Sequence, residues 1–99
     1  MAVPLGQYAT KCVAHEQITA LSTAAILTVA TFKNARYALI ECDHTAGKYV
    51  RWRDDGTAPT STVGISLAPG EKLFYDGNLA DIQFIEESAS AKLNVSYYV

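Results

Sequence analysis

The sequence predicts an all-β fold: a single β-sandwich of jelly-roll type with seven or eight short antiparallel strands over residues 1–99. Three observations carry this. Thr, Val, Ile and Tyr are spread along the chain, and no long segment keeps a 3.6-residue apolar period. Several segments alternate apolar and polar residues with a period of two. Turn signals recur about every ten residues, the spacing of sandwiches and barrels.

Taken in order, Gln7–His15 reads as the first strand. Thr19–Thr31 is ambiguous: its alanines suggest a helix, but its recurring threonines and Ile26-Leu27-Thr28-Val29 read as well as a strand. Tyr37–Asp43 and Lys48–Arg53 suggest a hairpin across His44-Thr45-Ala46-Gly47. Val63–Leu67 and Gly70–Tyr75 are strands parted by Ala68-Pro69-Gly70. Asp76-Gly77-Asn78 is read as a tight turn using positive φ, followed by a strand over Leu79–Glu86 with Ile82 and Phe84 on one side. The last strand is the plainest: Ala91, Leu93, Val95, Tyr97 and Val99 alternate with Lys92, Asn94, Ser96 and Tyr98.

Composition narrows the function. The chain is 49% hydrophobic and 18% charged, so it can form a core, and its sparse charge suggests a surface partly covered by a partner. A net charge of −2 with no basic block argues against nucleic-acid binding. The apolar run Ala24–Phe32 is too short to span a bilayer, and the N-terminal residues lack the pattern of a signal peptide, so a protein made in the cytosol and not associated with membrane is expected.

Catalytic and metal patterns are weak. Ser22, Ser61 and Ser66 lie outside any nucleophile motif. The acidic pairs Asp54/Asp55 and Glu86/Glu87 are sequence neighbours that face apart on a strand, not two carboxyls across a cleft. Cys12, His15, Cys42 and His44 could be written as a Cys₂His₂ set, with Cys42 and His44 on one strand face, but the short Cys-x₂₋₄-Cys pair is missing. The expectation is two reduced thiols, no metal, no cofactor and no enzyme activity.

The distinctive stretch is Arg-Trp-Arg-Asp-Asp-Gly-Thr-Ala-Pro-Thr-Ser-Thr-Val-Gly, residues 51–64. On a strand, Trp52 shares a core face with Val50 while Arg51 and Arg53 point outward. Asp54-Asp55-Gly56 turns the chain, and Pro59 places the following residues at an edge or in a crossing between sheets. The two arginines either pair with acids within the chain, the commoner outcome, or form with Asp54 and Asp55 an ion-pair cluster that binds a partner.

This stretch, with the β-rich tail ending in Val95-Ser96-Tyr97-Tyr98-Val99, resembles small virion proteins of tailed bacteriophages over Tyr49–Val99. The resemblance implies a non-enzymatic capsid decoration or cement protein, commonly a homotrimer. Its partner would be the phage major capsid protein and its location the virion, assembled in the host cytoplasm. Residues little explained by a lone core are the expected contacts: Arg51, Arg53, Tyr98 and an N-terminal arm containing Val3, Pro4, Leu5 and Tyr8. The competing expectation is a tail or fibre accessory, or a carbohydrate-binding module. That reading calls for a row of exposed aromatics on one sheet face.

Overall fold

The computed structural model describes residues 11–28 and 34–99. The N-terminal arm containing Val3, Pro4, Leu5 and Tyr8 lies outside the described residues, as do residues 7–10 of the expected first strand. Eight strands follow in order: β1 (Cys12–Ile18), β2 (Ala25–Ile26), β3 (Tyr37–Cys42), β4 (Val50–Arg53), β5 (Ile65–Leu67), β6 (Lys72–Tyr75), β7 (Gln83–Glu86) and β8 (Leu93–Tyr98). They form two antiparallel four-stranded sheets, ordered β1-β8-β3-β6 and β2-β7-β4-β5. Strand pairs β1·β8, β2·β7, β3·β6 and β4·β5 are therefore nested, as if one long hairpin had been rolled up. The bridges β3·β8 and β4·β7 complete the two layers. This is jelly-roll connectivity, the expected fold.

The chain passes from one sheet to the other at every connection except that between β4 and β5. Several local expectations are corrected by this. Residues 44–47 do not close a hairpin, because β3 pairs with β6 and β8 while β4 pairs with β5 and β7. They carry the chain between sheets, as do Ala68-Pro69-Gly70 and Asp76-Gly77-Asn78. Gly77 is also not among the positive-φ residues. A Cβ there would collide with the Tyr75 ring, so close approach, not backbone freedom, calls for glycine. The segment after Pro59 is not a crossing: it belongs to the loop of the one hairpin that stays within a sheet. Of the ambiguous Thr19–Thr31 stretch, Ala25–Ile26 is strand, and no helix occurs among the described residues.

The core lies between the layers. Ala38, Ile40 and Cys42 of β3, Tyr75 of β6, and Leu93, Val95 and Tyr97 of β8 meet Val50 of β4, Leu67 of β5 and Phe84 of β7. Leu21, Leu27, Leu79, Ile82 and Ala91 close the open sides from the connections. Every second residue of β3 and β8 is buried, so the period-two signal works as read.

The most deeply buried phenol of this core belongs to Tyr97. The Tyr97 ring is fully buried and its hydroxyl donates to the Glu16 carboxylate. Glu16 also accepts from the Thr28 hydroxyl at 2.7 Å and the Thr28 amide at 3.3 Å. This ties β1 to the segment after β2, across the layers, and satisfies a hydroxyl that would otherwise be costly to bury.

Candidate binding site

The tip of the roll is the loop 54–64, and it is stiffened by its own side chains. Arg53 grips Asp55 with a two-pronged contact, Nε to Oδ1 at 3.1 Å and Nη2 to Oδ2. Asp55 also accepts from the Thr57 amide at 3.3 Å. Thr60 and Val63 exchange backbone hydrogen bonds of 2.9 and 3.2 Å, and the Thr60 hydroxyl accepts from the amides of Thr62 and Val63. Arg51 Nη1 donates to the Gly64 carbonyl at 3.0 Å, while its Nε pairs with Glu87 at 2.9 Å. Ser66 donates to the same carboxylate at 3.2 Å. The loop is thus bolted to β4, β5 and the end of β7.

Two glycines permit this path. Gly56 turns the chain at φ +83 in open space. Gly64 lies at φ +142, where a Cβ would stand 3.1 Å from the Trp52 carbonyl and 3.2 Å from both Arg51 Cβ and Pro59 Cβ. Pro59, which has no amide to donate, is buried beneath the loop.

The charges are engaged within the chain. Hydrogen bonding from Arg53 holds the Asp55 carboxyl below the usual carboxylate range, and Asp55 in turn raises the Arg53 guanidinium. Asp54 accepts from the Tyr75 hydroxyl at 2.9 Å. Burial, then this hydrogen bond, pushes the Tyr75 phenol up to about 12. Arg51 and Arg53 therefore do not form one cluster with Asp54 and Asp55: Arg51 turns to Glu87 instead.

Beside these engaged charges lies an apolar cleft. Trp52 packs against the core, meeting Tyr75 edge-on at 6.2 Å, and pairs in register with Ile65. Ile65 is 58% exposed and Val63 51% exposed, because β5 is an edge strand that overhangs the core at this end. Trp52, Val63, Gly64 and Ile65, rimmed by Arg53, Asp54 and Asp55, line a cleft of about 260 Å³. That is smaller than the roughly 300–1,000 Å³ of small-molecule sites and suits an inserted apolar side chain.

The other residues singled out in the sequence lie apart. Cys12 is exposed at the start of β1, whereas Cys42 is buried at the end of β3 and donates to the Lys48 carbonyl at 3.0 Å. Burial, with Asp43, Glu41 and Glu71 adding to it, pushes the Cys42 thiol up to about 11, which keeps it protonated and unreactive. His44 is exposed in the following turn, so it does not share a strand face with Cys42. His15 is on the outer face of β1, 2.8 Å from the Ser96 hydroxyl. Among the described residues, no three His, Cys, Asp or Glu side chains converge as metal ligands.

Tyr98 has company that the sequence reading missed. On the outer face of the β1-β8-β3-β6 sheet it pairs in register with Tyr37, and Tyr37 stacks on Phe74 at 5.5 Å. The signal was present: Tyr37 and Leu39 are apolar on the side of β3 opposite Ala38 and Ile40, so this strand is apolar on both faces at one end. Val63 and Ile65 had no such signal, since only the register reveals the overhang.

No protein-family model, curated protein or solved structure matches the chain.

Proposed function

We propose that this chain is a non-enzymatic structural protein of a tailed-phage virion, a capsid decoration protein that docks on the major capsid protein as a homotrimer. The observation that carries the reading is the rigid tip loop with its exposed apolar cleft. It supports a binding role because a preordered loop loses little entropy on docking. Exposed Val63 and Ile65 beside Trp52 supply the apolar centre of a contact, and the self-paired Arg53 and Asp55 supply a polar rim. This loop is also the stretch on which the resemblance to virion proteins rests. Many copies on one lattice turn a modest single contact into a strong clamp.

The test is sedimentation of the purified protein with purified capsids, with its mass measured by light scattering. A trimer that sediments with capsids is expected, and Ile65→Asp should lose capsids while keeping the trimer and the fold. A wild-type protein that stays in the supernatant at every capsid concentration sinks the proposal.

A further inference from the structure

The outer face of the β1-β8-β3-β6 sheet differs in chemistry from the tip cleft, and we infer that it binds a neutral saccharide. Its side chains fall into registered rows. The first is aromatic, with Tyr98 beside Tyr37, and Phe74 stacked on Tyr37 at an interplanar angle of 22°. The second runs His15, Ser96, Leu39, Phe74, and the third Gln17, Asn94, Glu41, Lys72. Ser96 is short among long neighbours, which leaves a groove of about 170 Å³ lined by His15, Leu39, Glu41, Lys72, Asn94 and Ser96. An apolar ring surface therefore borders a groove of hydrogen-bonding groups.

The charge pattern selects the ligand. Lys72 pairs with Glu41 at 3.3 Å, and Asn94 donates to Glu41 at 3.0 Å and to Asp43 at 3.1 Å. Lys72 is thus neutralised, a second cation, Arg36, lies over the Tyr37 ring at 5.9 Å at the aromatic end, and the Glu41 carboxylate lines the groove where an anion would have to sit, so phosphate and acidic sugars are disfavoured there. Gln17 donates to Asn94 at 2.9 Å, leaving a floor of mixed donors and acceptors. A hydroxyl both donates and accepts, and so can join such a network at several points. A pyranose adds an apolar C–H face that fits an aromatic platform. A protein partner would leave the polar row underused, and that makes it the weaker occupant.

This inference stands apart from the capsid reading, which uses the opposite sheet. The experiment is an amide-resolved NMR titration with maltohexaose, cellohexaose and chitohexaose to millimolar concentration. At least one should shift residues 37–39 and 94–98, and Tyr98→Ala should weaken it by roughly tenfold or more. Ser96→Tyr, which fills the groove and keeps the aromatic row, should abolish it, while Ile65→Asp should bind as wild type. No shift with any of the three overturns the inference, as does a shift indifferent to Tyr98→Ala in a variant with a native-like spectrum. If Tyr98→Ala instead releases capsids and no oligosaccharide binds, the face is a protein contact and the inference is wrong.

Discussion

The two sheets are held by different means. The β1-β8-β3-β6 sheet has strands of seven, six, six and four residues, and its ladders run nearly their full length. The β2-β7-β4-β5 sheet has strands of two, four, four and three residues. It makes up for its short ladders with side chains that fasten loop to strand: Arg51 to Glu87 and Gly64, Arg53 to Asp55, and Tyr75 to Asp54 from the facing layer. A ladder spreads its hold over many backbone bonds, so single substitutions leave it largely intact. Side-chain fastenings can be removed one at a time, and the tip loop depends on them. The long-stranded sheet therefore acts as the frame, and the short-stranded sheet carries the adjustable site.

The sharpest way to break the frame is alkali. All three groups pushed upward by burial, Cys42, Tyr75 and Tyr97, belong to strands of the long-stranded sheet. Each has a folded-state pKa above its unfolded value, near 9 for the thiol and 10 for the phenols. Their protonated forms therefore support the fold fully below those values. That support is lost as pH rises, because the unfolded chain ionises first. The urea midpoint should fall steeply from about pH 9 through pH 12. Tyr75→Phe should flatten the upper part of the fall, where its phenol, raised to about 12, is the group at issue. A midpoint unchanged to pH 11 would sink this account.

A smaller effect separates strain from crowding in the adjustable site. Gly64→Ala places a methyl against backbone and two packed side chains at a positive φ, and about 1–3 kcal/mol of destabilisation is expected. Gly56→Ala meets nothing within 4 Å, so it carries the φ penalty alone, about 1 kcal/mol. Urea unfolding of both variants makes the check. Equal costs would mean that the close approach beneath the loop is not tight.

The same contrast explains what could be read from the sequence. The frame was legible because β3 and β8 bury alternate residues, and a period of two is a local signal. Even there, the first strand runs on to Ile18, past its expected end at His15, since the polar His15-Glu16-Gln17 hides that extension. The reason is that Glu16 faces inward to meet Tyr97 and Thr28, a pairing set by residues far along the chain. Partner choice was illegible for the same reason. The turn residues at 44–47 and 76–78 state that the chain reverses, but not whether it returns in its own sheet or the facing one. At the site, Arg51, Trp52 and Arg53 stood out by type. Val63 and Ile65 look like ordinary strand residues until the edge position of β5 exposes them.

The smallest effect on stability should come from Asp55→Asn, and it tests whether loop order serves binding more than folding. Asp55 is exposed and Arg53 half-buried at the surface, where the gain from an ion pair is offset by screening and side-chain entropy. No change in the urea midpoint at neutral pH is expected. The Asp55 carboxyl is held below its ordinary pKa, so its contribution is present above that value and is lost only as pH falls through the lowered one. The pair therefore persists at neutral pH, and only substitution removes it there. In the Asp55→Asn variant the two-pronged grip of Arg53 and the acceptor for the Thr57 amide both weaken. Amide exchange at Thr57 should quicken, and capsid co-sedimentation should weaken, while the trimer and the fold persist. If exchange quickens and capsid binding is unmoved, the cleft docks through its apolar floor alone, and the preordering of this turn contributes nothing to the contact.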